Sequence, residues 1–280
     1  MLTAGIPVAV RASPPADVQY KETHDRATRQ VQPAWMRAKE ASKQGQAHAY
    51  WTSKLRHAAF GVSPNAAYNG NWLTENQETQ VTCYYCADAS VVEALGAIAA
   101  PHFHPITLGS TPTQAQNNAA WLLNTSPYCD NSHNGGTAWY GTNARVPSPT
   151  GYPVPDVLNY ETFGNTRYAW YLPVALPYYT SSSDTSRFEQ DLGFDIDRGW
   201  PLAGNLWEVP RGPHLDGHPG GEIQHWMEIR GYGGYGGWVF YEDSASGAEP
   251  MLGWYTHAPP YNSTDSNKFV EILGGRGYVW

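Results

Sequence analysis

Cys86 is the residue in this sequence best placed to act as a nucleophile. After it, apolar residues recur at the spacing of one helix face: Ala87, Val91, Val92, Leu95 and Ile98. The pattern predicts a helix that begins at Cys86, and the partial positive charge and free N–H groups of a helix N-terminus favour a thiolate. Gln80 lies six residues upstream, where its amide could donate a hydrogen bond to an oxyanion formed beside the sulfur. These two residues would supply half of a cysteine-hydrolase site.

A predicted β-hairpin late in the chain could supply the other half. Residues 225–232 alternate in polarity as a strand does, residues 233–237 form a glycine-rich turn, and a returning strand is predicted over 237–243. His225 opens the first strand and Asp243 ends the second. In such a hairpin the carboxylate can orient the imidazole, and the imidazole can activate the thiol.

The order of these four residues resembles that of the papain-like cysteine peptidase superfamily, and most of all its C39-type branch of bacterial secreted proteins. The matching residues surround the nucleophile, the histidine strand and the carboxylate: Tyr84-Tyr85-Cys86, Ala89-Ser90, His225, Gly231-Tyr232 and Asp243. The chain departs from the branch at Ala87-Asp88, where Gly-Pro is usual, and at Ser244, where Pro is usual. By order of elements the resemblance covers roughly residues 70 to 280.

The resemblance implies an α+β, papain-like fold, in which a helical part led by the Cys86 helix packs against an antiparallel β-sheet carrying His225 and Asp243. It implies a cysteine hydrolase with a Cys-His-Asp triad, no cofactor and no metal. Gln80 and the Cys86 backbone N–H would form the oxyanion hole.

A peptidase acting on peptides or proteins is the first expectation for the reaction. A protein-glutamine deamidase or a transglutaminase-like enzyme would use the same acyl-enzyme. The non-enzymatic alternative is a secreted binding domain with a degenerate site. Asp88 motivates this alternative, because a carboxylate close to the nucleophile would disfavour the thiolate.

Composition and charge narrow the class of protein. The 280 residues suffice for one large domain with an appended segment. Apolar residues make up 41% of the chain, and only 15% of residues are charged, against about 25% in average globular chains. Low charge with much Gly, Pro, Asn, Ser and Tyr favours a secreted protein, here without its leader; a cytosolic protein is the alternative. No apolar run reaches transmembrane length, so we do not expect a membrane partner. We also expect a monomer.

The three cysteines are an odd number. If Cys86 is the free nucleophile, Cys83 and Cys129 remain as a candidate disulfide pair in an oxidising compartment. The alternative is that all three are reduced and buried. Cys83 is a rival nucleophile, but the predicted helix start and the resemblance both favour Cys86.

The charge is divided unevenly along the chain. Residues 1–58 carry a net charge of +5 and the remainder carries −13. The acidic body would repel phosphates, so nucleic acid is not an expected partner. Residues 1–60 form a basic segment with a predicted helix over 34–59, and residues 61–280 form the predicted catalytic domain. The segment is either a propeptide that covers the cleft or a helix packed permanently on the domain.

Other histidines offer a rival metal site, in the sequences His102-x-His104 and His214-x-x-x-His218 with Glu222. Gly217, Pro219 and Gly220 oppose a helix here, and only a helix would bring His214 and His218 onto one face. We therefore expect both histidines to lie in a loop and to form hydrogen bonds. Further elements are predicted as helices over 113–123 and 183–192, and as strands over 200–207, 269–273 and 277–280.

Overall fold

A computed structural model describes residues 14–25, 32–60, 70–99, 108–129, 135–167 and 170–280. Within these ranges the chain is an α+β protein with eight helices and one antiparallel sheet of seven strands. The α+β class and the antiparallel sheet predicted from the sequence are therefore confirmed. None of the described helices combines the length and the apolar character needed to span a membrane.

The described helices are, in chain order, α1 (Ala16–His24), α2 (Ala34–Phe60), α3 (Cys86–Ala99), α4 (Pro112–Leu123), α5 (Pro153–Phe163), α6 (Ser182–Ile196), α7 (Glu249–Leu252) and α8 (Ser266–Leu273). Local chemistry explains several starts. In α4, Pro112 occupies the first turn and the Thr111 side chain accepts from the Gln114 N–H. In α6, Ser181 and Asp184 form a reciprocal capping box.

The strands are β1 (Asn71–Trp72), β2 (Pro173–Ala175), β3 (Leu202–Glu208), β4 (Ile223–Gly233), β5 (Trp238–Glu242), β6 (Tyr261–Asp265) and β7 (Gly277–Val279). Their order in the sheet is β2-β7-β3-β4-β5-β6, and β1 adds to β4. The 11-residue β4 pairs with β3 and β5. The predicted hairpin thus forms, with His225 near the start of β4 and Asp243 directly after β5.

One prediction of secondary structure was wrong. Residues 269–273 lie in α8 and not in a strand, because Asp265 caps a helix by accepting from the N–H groups of Asn267 and Lys268. The apolar residues of α8 then fall on one helical face and are buried. Helix α5 (Pro153–Phe163) was not predicted from the sequence.

The sheet separates two apolar layers. On one face, Trp226 of β4 belongs to a core formed with α3, α4 and α5. On the other face, Met227 and Ile229 of the same strand belong to a larger core with α6 and α8. Both faces of β4 are covered because its alternating side chains point to opposite sides, and this burial holds the strand that carries His225 firmly in place.

The N-terminal segment contributes to the larger core. Met36, Ala47 and Trp51 of α2 are buried within it. Trp51 lies against Gly193 of α6, where an added Cβ would stand only 2.0 Å from the indole ring. Lys43 forms an ion pair of 2.9 Å with Asp195, and both side chains are buried.

The described part of α2 also lies away from His225. Trp51 contacts Tyr232 with ring centroids 5.5 Å apart, and Tyr232 stands seven residues beyond His225 on β4, a span of about 23 Å in a strand. This packing favours the permanent helix over the propeptide. The predicted boundary at residue 60 adjoins residues 61–69, which lie outside the described ranges.

Removal of residues 1–60 is expected to abolish cooperative folding of the remainder. Loss of Trp51 and Met36 from a core costs about 2–5 kcal/mol each, and an unpaired buried Asp195 costs about 3–5 kcal/mol more. Together these costs match the whole stability of a typical domain, about 5–15 kcal/mol. Thermal unfolding of the 61–280 fragment, followed by circular dichroism, measures this directly. A cooperative transition near that of the full chain would instead support a removable propeptide.

Candidate active site

Cys86 is the first residue of α3, as the sequence predicts. A turn over residues 82–85 leads into the helix, with a hydrogen bond from the Tyr85 N–H to the Thr82 carbonyl. The Cys86 side chain is buried but for a small exposed fraction, 8% for the residue. The thiol therefore lies at the positive end of a 14-residue helix, where a thiolate is stabilised.

His225 lies between Cys86 and Asp243. Its Nε2 is 3.0 Å from Asp243 Oδ1, and the Cys86 side chain is close enough to raise the pKa of the ring. Since Nε2 is used by the carboxylate, Nδ1 is the ring nitrogen left to act on the sulfur. The structure thus brings together three of the four residues predicted for the site, from α3, β4 and the end of β5.

Electrostatics favour an imidazolium at His225. Burial lowers the pKa of this ring, but the interactions with Asp243 and Cys86 outweigh burial and raise the pKa to about 10. Asp243 is affected in the opposite sense: burial raises its pKa, but hydrogen bonds from His218 and His225 hold it well below its usual range. At neutral pH, a protonated His225 therefore bridges an ionised Asp243 and the sulfur of Cys86.

Asp243 has a second histidine partner that the sequence analysis did not assign to the site. His218 Nε2 lies 2.8 Å from Asp243 Oδ2, and His218 Nδ1 lies 2.9 Å from Glu208 Oε2. Ionised carboxylate oxygens can only accept hydrogen bonds, so both nitrogens of His218 donate. His218 is therefore a buried imidazolium between two carboxylates, consistent with hydrogen bonds that raise its pKa despite burial.

Glu208 anchors the far end of this chain of hydrogen bonds. Besides His218, it accepts from His214 Nδ1 at 3.0 Å and from the Leu215 N–H at 2.9 Å. Burial raises the pKa of Glu208, but the hydrogen bonds from the two rings lower it further than burial raises it. The loop histidines do form hydrogen bonds, as predicted, but His218 does so inside the site.

The turn that presents His218 depends on a glycine. Gly217 has a φ of 85° and lies against the backbone of His257, where an added Cβ would be 2.2 Å from the carbonyl oxygen. No other residue type fits this combination of conformation and close approach. Trp254 then packs against His218, with ring centroids 4.8 Å apart, and lies 6.5 Å from His225. The indole shields the two imidazoles from water.

Gln80 is buried beside the residue that follows Asp243. Its backbone N–H donates to the Ser244 carbonyl at 2.9 Å, and its side-chain Nε2 donates to the Thr82 carbonyl at 2.8 Å. Its Oε1 accepts from the Ser244 hydroxyl at 3.4 Å. One amide N–H is thus used locally, which leaves the second as the one that Gln80 could offer to an oxyanion.

Cys83 and Cys129 are joined by a disulfide, with Cα atoms 5.3 Å apart, and Cys86 is the free cysteine. The disulfide ties the turn before α3 to the segment after α4. Of the two candidate nucleophiles, only Cys86 therefore offers a thiol. Of the other residues considered for a metal site, Glu222 accepts from Tyr20 and Trp207, and His102 and His104 lie outside the described residues.

Asp88, the carboxylate close to the nucleophile, is fully buried. Its Oδ1 accepts from the Thr125 hydroxyl at 2.8 Å, and its Oδ2 has no partner. Burial raises the pKa of Asp88 to about 8, against smaller opposing effects of the hydrogen bonds. At neutral pH most Asp88 is uncharged, so it does not oppose a thiolate at Cys86.

Asp88→Asn is therefore expected to change the pH dependence of stability and not the activity at pH 7. The folded state keeps the proton of Asp88 up to about pH 8, whereas the unfolded state loses it near pH 4. Wild-type stability must then fall as pH rises from about 4 to 8. The neutral variant lacks this loss, so between pH 4 and 8.5 its stability relative to wild type should increase by up to roughly 5 kcal/mol. Urea unfolding at pH 4 and 8.5 tests this; equal pH dependence in both proteins would contradict it.

No family model matches this chain, and no curated protein matches it in sequence. The geometry of the site is consequently the main ground for a functional proposal. His218 and Glu208 are the residues of the site that the sequence did not identify. The one usable signal was a cluster of ionisable residues just before the predicted strand that begins at His225. Nothing in their spacing indicated which carboxylates they contact.

Proposed function

We propose that this protein is a cysteine hydrolase of the peptidase type, secreted, which cleaves amide bonds of peptides or proteins. One observation carries the proposal: a buried thiol at a helix N-terminus lies beside an imidazole that a carboxylate orients. The disulfide between Cys83 and Cys129 supports secretion, because such bonds persist in oxidising compartments. The papain-like resemblance points to the same chemistry.

In the proposed reaction, the Cys86 thiolate attacks the amide carbonyl carbon and forms a C–S bond while the carbonyl electrons move to oxygen. The Cys86 backbone N–H and the second Gln80 N–H stabilise the oxyanion. His225 donates its Nδ1 proton to the leaving amine, and the C–N bond breaks to leave a thioester. Neutral His225 then takes a proton from water as the water oxygen attacks the thioester carbon. The C–S bond breaks, the acid is released, and the Cys86 thiolate and protonated His225 are restored. Asp243 orients the ring throughout.

The competing reactions differ in the group that ends the cycle. Water acting on a glutamine-derived thioester gives deamidation, and an amine gives transamidation, both on the same triad. Mass spectrometry of an unstructured protein such as casein, after incubation with the full chain, separates them. Fragments indicate cleavage, a gain of about 1 Da indicates deamidation, and joined chains indicate transamidation. A Cys86→Ala sample is the control for each product. Absence of every product, together with unreactive Cys86 towards iodoacetamide, would favour a binding domain.

His218 is expected to be a positioning residue for this reaction. His218→Ala removes a charged hydrogen bond of about 1.5–3 kcal/mol, so kcat should fall about 10-fold to 100-fold. KM should stay unchanged, because His218 lies behind Asp243 and is buried. Steady-state kinetics measure kcat and KM separately. The pH dependence of the rate of Cys86 alkylation should change together with kcat.

His214→Ala is the matched control for the His218 prediction. This variant removes the second imidazole that donates to Glu208, but it leaves the hydrogen bond from His218 to Asp243 intact. Its kcat should remain within about threefold of wild type. A similar fall in kcat for both variants, or a rise in KM alone for His218→Ala, would show that His218 does not act through Asp243.

A further inference from the structure

Three glutamate side chains converge beside the candidate active site. Glu75 comes from the loop before Gln80, Glu228 from β4 and Glu242 from β5, and their carboxylate oxygens lie within 4.8 Å of one another. Glu228 and Glu242 are directly paired across the two strands. This geometry places oxygen ligands from three separate segments around one point.

The cluster holds more carboxylates than the neighbouring cation can neutralise, and Glu228 is the clearest case. It is fully buried, and neither of its oxygens has a hydrogen-bond partner. Arg230 is the nearby cation, 2.9 Å from Glu242 and 3.6 Å from Glu75. One guanidinium therefore faces three carboxylates, and a buried, unpaired carboxylate is costly. Either protons or a bound cation must neutralise the rest.

A fourth carboxylate and a cavity lie next to the cluster. Glu93 of α3 is fully buried, with one oxygen unpartnered, and its charge acts on Glu228 and Glu242. A cavity of about 380 Å³ is lined by Glu75, Glu78 and Glu93. It supplies a path by which a hydrated ion can reach the cluster and a space for water ligands.

We propose that Glu75, Glu228 and Glu242 bind a calcium ion. Ligands that are all carboxylate oxygens select a hard cation. Ca²⁺ takes six to eight oxygen ligands in flexible geometry, so three carboxylates and added waters can hold it while a guanidinium pairs with an outer oxygen. Mg²⁺ is usually held by one or two carboxylates with several waters in strict octahedral geometry, so a site of three carboxylates suits Ca²⁺ better.

The ion would join the segments that carry the candidate triad. Glu228 follows His225 by three residues, Glu242 precedes Asp243, and Glu75 lies on the loop that leads to Gln80 and α3. Bound calcium would hold this loop on the hairpin and stabilise the folded state. This inference is independent of the reaction that the triad performs.

The test is a calcium titration of the full chain after dialysis against EDTA, in a buffer of constant ionic strength. At a calcium concentration of about 100 times Kd, the melting temperature should rise by about 5–10 °C. Terbium, used as a calcium probe, should show luminescence sensitised by the protein and displaced by calcium. Absence of both responses in wild type would overturn the proposal and assign protons to the cluster.

Two variants and a second metal sharpen the result. Glu228→Gln should lose the calcium shift, whereas Glu78→Gln, at the rim of the same cavity, should keep it. Equal loss in both would overturn a specific site in favour of diffuse attraction. A shift of equal size with magnesium would overturn the choice of calcium. The wild-type titration decides the matter even if Glu228→Gln folds poorly.

Discussion

Cys86→Ala is expected to lower the rate of amide cleavage by roughly 10⁴-fold or more, with the fold intact. The covalent intermediate requires the sulfur, and no other free thiol exists in the chain. The variant removes little volume at the first residue of α3, so the melting temperature should change little. Initial rates on casein and covalent labelling by iodoacetamide at pH 7 give the two measurements.

Cys83→Ala is the control for the nucleophile. It breaks the disulfide to Cys129 across a sequence separation of 46, which should cost about 3–4 kcal/mol of stability. The start of α3 and the thiol of Cys86 remain, so activity per folded molecule should persist below the lowered melting temperature. A folded Cys83→Ala protein as inactive as Cys86→Ala would refute the assignment of Cys86.

His225→Ala is expected to lower kcat by roughly 10³-fold or more. The variant loses the proton donor for the leaving amine and also the imidazolium that stabilises the thiolate. Alkylation of Cys86 by iodoacetamide at pH 7 should therefore slow markedly and recover only at alkaline pH. Unchanged alkylation kinetics, in a protein that has lost activity, would indicate that His225 does not activate Cys86.

Asp243→Asn tests how the ring of His225 is held. From the sequence we expect an effect milder than that of His225→Ala, because an amide oxygen can still orient the ring. In the structure both carboxylate oxygens accept from a ring N–H, one from His225 and one from His218. An amide NH₂ must then face one of these donors, so we expect a loss larger than that of His218→Ala and smaller than that of His225→Ala.

The sequence by itself determined the elements whose signals are local. Helical spacing after Cys86 predicted the start of α3, and alternation followed by glycines predicted the hairpin of β4 and β5. These patterns succeed because periodicity reflects which face of an element is buried. The order of Cys86, His225 and Asp243 along these elements then sufficed to propose a triad.

Tertiary structure decided which groups share a charge or a proton. His218 contacts Asp243 across 25 residues and Glu208 across 10, by a turn whose path depends on the packing of Gly217 against His257. Glu75, Glu228 and Glu242 are distant in sequence and meet only because loop and strands fold together. Burial likewise made Asp88 neutral. Such pairings arise from long-range packing and desolvation, which no local spacing encodes, whereas helix starts and strand alternation are set by neighbouring residues.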